Sequence, residues 1–83
     1  MKTTYKDVKN LAECVNTELK KKGSKMFIQI SNGNDRTNIE EATEEQMKTQ
    51  CAQRSILYGA TNKEAFKYLQ AMNETLRLLN INN

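Results

Sequence analysis

Two pairs of adjacent glutamates, Glu40-Glu41 and Glu44-Glu45, are the residues of this 83-residue chain whose type and spacing come nearest to a reactive site. Paired carboxylates can bind a divalent cation or act as general acid and base. Adjacent carboxylates, however, point to opposite faces of a strand and lie about 100° apart on a helix. Since the chain has no histidine and no aspartate beside these pairs to complete a site, the pattern predicts neither metal binding nor acid–base catalysis.

Other catalytic and ligand-binding patterns are also missing from the sequence. Without histidine there is no Ser-His or Cys-His pair and no histidine ligand for zinc. Cys14 and Cys51 are 37 residues apart without a Cys-x-x-Cys spacing, which predicts two small buried or half-buried free thiols. The stretch Asn32-Gly33-Asn34-Asp35 lacks the spacing of a calcium loop and predicts a hairpin turn. The sequence therefore predicts a protein that is not an enzyme and has no cofactor.

Charge is unevenly distributed along the chain, although the formal net charge is only +3. The acidic stretch of residues 35–45 could imitate nucleic acid and bind a basic cleft on a protein partner. Its candidate contacts are Asp35, Glu40, Glu41, Glu44 and Glu45. The alternative is a nucleic-acid-binding regulator whose lysines neutralise phosphates. The candidate contacts for that function are Lys20, Lys21, Lys22, Lys25, Lys63 and Lys67.

The first predicted element is an amphipathic helix that begins after Thr4. Thr4 and Asp7 have the spacing of an N-cap and an acidic residue in the first turn. Apolar residues then recur at three- and four-residue steps, and Gly23 is typical of the left-handed residue that ends a helix. The apolar stripe consists of Tyr5, Val8, Leu11, Ala12, Val15 and Leu19.

A β-hairpin is predicted next. Met26–Ile30 is rich in strand-forming residues and leads into the turn at residues 32–35. The returning strand is predicted over Arg36–Glu41. Because Ile39 is the only apolar residue in that stretch, we expect this strand at an edge of the sheet.

Residues 42–58 fit two secondary structures. The sequence Thr43-Glu44-Glu45-Gln46 has the form of a capping box, which favours a helix over residues 44–54. Residues 55–58 followed by Gly59 favour a third strand that ends near Tyr58. The third strand is the preferred interpretation, and the helix is the alternative.

Thr61 and Glu64 form the strongest capping signal in the chain and predict a final helix of about 18 residues. Its apolar positions are Phe66, Leu69, Met72, Leu76 and Leu79. The C-terminal residues Leu78, Leu79 and Ile81 add more apolar surface than one sheet-facing stripe requires, which is compatible with a homodimer contact, with a partner contact or with a local cap on the core. We expect residues 80–83 to fray.

These elements predict a single α+β domain over residues 1–83, ordered α-β-β-β-α. Both helices are expected to pack on one face of a short antiparallel sheet. If residues 44–54 are helical, the order becomes α-β-β-α-α. The N-terminus lacks the apolar stretch of a signal peptide and no run approaches 18 apolar residues, so a cytoplasmic protein is expected.

The segment from Gly59 to Met72 resembles a recurrent ending of small phage and prophage accessory proteins. In those proteins a strand runs into a threonine cap that is followed by Lys-Glu, an aromatic residue and a leucine, as in Thr61-Asn62-Lys63-Glu64-Ala65-Phe66 here. The resemblance includes an opening helix and hairpin, covers about half of the chain, and implies an αβββα fold in a phage context. Ala71 departs from the glycine expected in the middle of the helix.

The family has no settled activity, so the resemblance implies no site. The many asparagines and lysines are typical of an AT-rich coding sequence, as in low-GC bacteria and their phages. We therefore expect a phage or mobile-element protein that binds a macromolecular partner, for example a host-directed inhibitor such as an anti-CRISPR or other anti-defence protein.

The same element order is similar to the double-stranded-RNA-binding domain. In that family the last helix begins with a Lys-Lys-x-Ala-Lys cluster that contacts phosphates. The corresponding residues here are Asn62 to Phe66, so only Lys63 of the three lysines is present, and Lys67 comes one residue late.

Overall fold

The computed structural model describes the backbone of residues 2–81 and the side chains of residues 2–79. The elements are α1 (Tyr5–Lys21), β1 (Met26–Gly33), β2 (Arg36–Thr43), α2 (Glu44–Lys48), β3 (Arg54–Ala60) and α3 (Asn62–Ile81). The strands form an antiparallel sheet in the order β1-β2-β3. The core joins α1 and α3 to one face of this sheet, so the predicted α+β fold is confirmed.

The helix α1 begins and ends where the sequence predicts. The Thr4 hydroxyl accepts a hydrogen bond from the Asp7 N–H at 3.2 Å, and the Asp7 carboxylate accepts one from the Thr4 N–H at 2.9 Å. These two bonds satisfy N–H groups that would otherwise lack partners in the first turn. After the helix, Gly23 adopts a φ of 76°, which a residue without a side chain adopts at little cost.

The strands β1 and β2 form the predicted hairpin. Their register runs without interruption from Met26 paired with Thr43 to Gly33 paired with Arg36. The two turn residues, Asn34 and Asp35, have φ angles of 53° and 61°, as a type I′ turn requires. The twist of such a turn matches that of the strands. Both strands extend beyond their predicted ends, β1 to Gly33 and β2 to Thr43.

The prediction that β2 is an edge strand is wrong, because β2 lies between β1 and β3. Thr37 and Ile39 are almost fully buried, and Ala42 is also buried. The sequence pattern missed Thr37 because threonine is polar. In the fold its hydroxyl donates a hydrogen bond to the Asn62 side chain at the start of α3, and a polar group that is paired in this way can be buried.

Residues 42–58 include both a helix and a strand, the two structures that the sequence presents as alternatives. Thr43 and Gln46 form a capping box at the start of α2, which has only five residues. The preferred third strand is confirmed and extends to Ala60. Its pairing with β2 is irregular, and Gly59 adopts a φ of 70° while its N–H donates to the Asn38 side chain at 2.8 Å. A glycine at such a bulge avoids the strain of a side chain.

The helix α3 begins with the predicted capping box and packs its first half on the core. The Glu64 carboxylate accepts a hydrogen bond from the Thr61 N–H at 3.0 Å, and the Thr61 hydroxyl accepts one from the Glu64 N–H at 3.1 Å. Ala65 and Leu69 are fully buried. The helix runs to Ile81; Asn82 and Asn83, which belong to the segment predicted to fray, lie outside the described residues.

Both long helices run in the same direction along the sheet. The hairpin turn at residues 34–35 marks one end of the sheet, the turn end, and the opposite end, where β1 starts and β2 finishes, is the base end. The helix α1 leads into β1 and therefore finishes at the base end. Because Ala60 pairs with Thr37 near the turn, α3 starts at the turn end. The C-terminal part of α1 and the first turn of α3 consequently lie at opposite ends of the molecule.

The outer edge of β1 is closed by side chains from α1 and from the connection that follows it. The Asn16 side-chain amide donates to the Ile28 carbonyl at 2.9 Å and accepts from the Ile28 N–H at 2.7 Å, as a neighbouring strand would. Ser24 makes hydrogen bonds to both main-chain groups of Met26, and the Tyr5 hydroxyl donates to the Ile30 carbonyl. These contacts remove the edge that would otherwise be free to pair with another chain.

The two acidic capping residues predict how stability depends on pH. Hydrogen bonds from the backbone and side chain of the capping threonine lower the pKa of Asp7 from its ordinary value of 3.8 and that of Glu64 from 4.5. A lowered pKa in the folded state means that the stabilisation is present above these ordinary values and is lost as the pH falls through the folded-state pKa. We expect the urea midpoint to fall on acidification from about pH 6 to about pH 3.

The double variant Asp7→Asn, Glu64→Gln keeps polar side chains at both positions but removes the titrating groups. Its urea midpoint should fall less over the same pH range. Equal decreases in the wild type and the double variant would contradict a role of these caps in acid sensitivity.

Candidate functional site

The acidic candidate residues do not form one surface. Asp35 is in the turn, whereas Glu44 and Glu45 are in the first turn of α2 at the base end. Between them, Glu40 and Glu41 are adjacent on β2 and therefore point to opposite faces of the sheet. Glu41 also pairs with Arg54 of β3, with 3.0 Å between the carboxylate and the guanidinium. The predicted acidic surface is thus divided among two ends and two faces.

The basic candidate residues are divided in the same way. Lys20, Lys21, Lys22 and Lys25 lie at or just beyond the end of α1, and Lys63 and Lys67 lie near the start of α3. These groups are separated by roughly the length of α1, which is about 25 Å for its 17 residues. In the first group the Lys21 ammonium is 3.7 Å from the Glu18 carboxylate. The Lys22 ammonium is buried and has no hydrogen-bond partner among the described residues.

Residues of opposite charge meet at both ends of the molecule. At the base end Lys20 and Lys25 line the same hollow as Glu44 and Glu45, which has a volume of about 490 Å³. At the turn end, Asp35 and Lys63 line a hollow of about 600 Å³ together with Lys2. The fold therefore places acidic and basic residues that are distant in the sequence around the same hollows.

A second hollow at the base end, which we call the base hollow, is lined mainly by apolar surface. It has a volume of about 410 Å³ and lies between the last turns of α1, the start of β1 and α2. Its lining residues are Asn16, Thr17, Lys20, Phe27, Glu44, Met47 and Lys48. Phe27 and Met47 are half-buried, and Lys20, Glu44 and Lys48 are exposed around them. Apolar side chains surrounded by charges of both signs are typical of a protein-binding surface.

Sequence reasoning found Lys20 and Glu44 of the base hollow but missed Lys48, Phe27 and Met47 as site residues. Phe27 alternates with the helix-facing residues Met26 and Ile28, so its side chain belongs to the face of β1 that the long helices leave uncovered. This alternation was the sequence feature from which an exposed apolar role of Phe27 could have been predicted. Met47 is brought to Phe27 by the short helix α2, whose length the sequence pattern did not resolve.

The two cysteines do not behave as predicted. Cys14 and Cys51 are both free and exposed, so the expectation of buried or half-buried thiols is wrong. Cys14 lies between the buried residues Ala12 and Val15 in sequence, but at about 100° per residue its side chain points away from the core face of α1. Cys51 lies in the connection between α2 and β3.

The described residues meet the requirements of neither a metal site nor a membrane-spanning helix. Among residues 2–79, no three His, Cys, Asp or Glu side chains are grouped closely enough to hold a metal ion. Within the described helices, no stretch combines the length and the apolar character needed to cross a membrane.

Comparison of the chain with protein-family models, with curated proteins and with solved structures gives no match.

Proposed function

We propose that this protein acts by binding a protein partner through the base hollow, without catalysing a reaction. The observation that carries the proposal is the position of Phe27 and Met47 in a hollow with Lys20, Lys48 and Glu44 around it. A partner side chain inserted between Phe27 and Met47 would be shielded from water. The charged residues around it would select for a partner surface that also carries both charges.

A protein partner is favoured over nucleic acid because carboxylates accompany the lysines. A phosphate chain approaching Lys20 and Lys25 would also meet Glu44 and Glu45, and their repulsion would offset the attraction. Lys21 is already paired with Glu18. Lys63 and Lys67, near the start of α3, are too distant to belong to the same contact.

The concrete form of the proposal is a host-directed inhibitor encoded by a phage or another mobile element, such as an anti-CRISPR or other anti-defence protein. The resemblance of residues 59–72 to the ending of phage accessory proteins and the abundance of asparagine and lysine support this origin. An inhibitor of this kind would act in the cytoplasm of the host cell. It would need a binding surface, which the base hollow provides, and no catalytic group.

Affinity capture from the lysate of a candidate bacterial host tests the proposal. The tagged wild-type protein should retain one host protein in stoichiometric amount. Phe27→Ala should reduce the retained amount about tenfold or more, because truncation of a central aromatic contact removes much of the binding free energy. Circular dichroism of the variant would show that the domain is still folded.

Leu78→Ala is the matched control, since Leu78 is an apolar side chain that is 62% exposed and lies outside the base hollow. It should capture the same amount as the wild type. Failure of the wild type to retain any stoichiometric protein, or equal capture by Phe27→Ala, would contradict the proposal.

Fluorescence-anisotropy titrations with duplex and single-stranded DNA and RNA test the nucleic-acid alternative. We expect no binding that depends on the lysines at the end of α1. Micromolar affinity that weakens with salt and is lost on combined alanine substitution of Lys20, Lys21 and Lys22 would favour the regulator over the inhibitor.

A further inference from the structure

The helix α3 carries an apolar surface that the rest of the described chain covers only in part, since Met72 and Leu76 also pack against the core. A groove of about 350 Å³ is lined only by α3 residues, including Tyr68, Met72 and Leu76. Tyr68 is 42% exposed, and Leu79, one turn beyond the groove, is 53% exposed. We call this surface the α3 stripe, which comprises Tyr68, Ala71, Met72, Thr75 and Leu79.

The α3 stripe lies beside the face of α3 that packs on the core, and Met72 contributes to both. Ala65 and Leu69 are fully buried and define the core face. At about 100° per residue, the α3 stripe is centred roughly 100° around the helix from Leu69. Leu78 lies opposite the core face, about 75° around the helix from the centre of the α3 stripe, and is 62% exposed. The described fold therefore covers the core face of α3 and part of Met72, and it leaves the other residues of the α3 stripe exposed.

The core of the domain is small enough for an additional contact to matter. Four of the nine buried apolar residues among those described are alanines: Ala12, Ala42, Ala60 and Ala65. Domains of this size bury a comparatively small share of their surface, so burying the α3 stripe against another chain would add to their stability.

The charges beside the α3 stripe indicate what that chain is. Lys67 and Glu74 are both exposed and lie two helical turns apart along the same border of the stripe. The stripe itself carries no charge. When a second α3 packs against it in the opposite direction, a two-fold axis near Ala71 sets Lys67 of each copy beside Glu74 of the other. In this arrangement the uncharged residues of the two stripes face each other, and the charged residues beside them form pairs of opposite sign.

We propose that two copies of this chain associate through their α3 stripes as an antiparallel, two-fold symmetric pair of helices. The antiparallel direction also places the positive N-terminal end of each helix dipole beside the negative C-terminal end of the other. Of the residues predicted for a homodimer contact, Leu79 belongs to this interface and Leu78 lies at its border, while the side chain of Ile81 lies outside the described residues.

The inference goes beyond the proposed function, because no α3 residue lines the base hollow. Association through α3 leaves one base hollow open on each copy. A dimer would therefore present two partner-binding surfaces, and its existence can be tested without knowing the partner.

Analytical ultracentrifugation of the full chain tests the inference. The wild type should sediment with twice the mass of the 9.6 kDa chain. Tyr68→Lys should raise the dimer dissociation constant about tenfold or more, because it places a charge within the apolar contact. Tyr58→Lys is the matched control, since Tyr58 is a tyrosine on β3 that is 83% exposed; this variant should remain a dimer.

A charge exchange tests the antiparallel arrangement itself. Lys67→Glu should raise the dissociation constant about three- to tenfold, because it sets like charges together twice in each dimer. Adding Glu74→Lys to the same chain should restore the wild-type value. If Lys67 only stabilised its own chain, Glu74→Lys would not restore the dissociation constant of the Lys67→Glu variant.

Three outcomes would overturn the inference. They are a wild type that remains monomeric at about 100 μM, dissociation by Tyr58→Lys but not by Tyr68→Lys, and failure of Glu74→Lys to rescue Lys67→Glu. The second outcome would show that the copies meet at the edge of the sheet. Loss of partner capture by Phe27→Ala with an intact dimer would leave this inference standing, so the two proposals fail independently.

Discussion

Leu69→Ala is expected to lower the free energy of unfolding by about 3–5 kcal/mol. Leu69 has no exposed surface and belongs to the same core cluster as Val8, Val15 and Ile39. Truncation removes the transfer free energy of the leucine side chain and leaves a cavity that α1, α3 and the sheet cannot all close. Because the whole domain has a stability of roughly 4–12 kcal/mol, this one change should remove a large part of it.

Urea unfolding followed by circular dichroism, at one fixed protein concentration, measures the effect. Leu78→Ala is the control, because it makes the same change on the same helix at a side chain that is 62% exposed. It should change the free energy of unfolding by less than about 0.5 kcal/mol. Similar losses for the two variants would contradict the orientation of α3 on the core.

Asn16→Leu is expected to have the second largest effect and to lower the free energy of unfolding by about 2–4 kcal/mol. Leucine has the same branched shape and number of side-chain heavy atoms as asparagine but can make neither of the two hydrogen bonds to Ile28. The Ile28 N–H and carbonyl would then be left without partners in a partly buried position. We also expect the Ile28 amide to exchange with solvent faster, which hydrogen-exchange NMR would detect.

Asn10→Leu is the matched control, since Asn10 is an exposed asparagine on the same helix. It should leave both the urea midpoint and the exchange of Ile28 nearly unchanged. If Asn16→Leu were no more destabilising than Asn10→Leu, side-chain closure of the β1 edge could not be a source of stability.

Most of the fold could be predicted because its signals are local. Thr4 with Asp7 and Thr61 with Glu64 are capping pairs formed within one turn, so they could be read directly from the sequence. The turn at Asn34 could be read in the same way, because a type I′ turn depends on the residues that occupy it. Thr37 could not be assigned to the core, since its burial depends on Asn62, a residue of another element.

The candidate site was harder to predict, because it depends on contacts between elements. Lys20 and Glu44 were assigned to two competing functions, yet they line one hollow. Phe27 was overlooked because it lies off the helix-facing pattern of β1, and Met47 because α2 had not been resolved. A charge run in the sequence reports which residues are neighbours along the chain, whereas a binding surface depends on neighbours in space.

The sequence by itself determined the α+β fold class, the capped helices and the hairpin, and it contains no histidine for histidine-based chemistry. Those properties depend on residue types and on spacings of a few residues. Only the tertiary structure decided that β2 is central, that Asn16 closes the edge of β1, and that acidic and basic residues meet at both ends. These properties depend on long-range packing, which brings together residues that no local pattern connects.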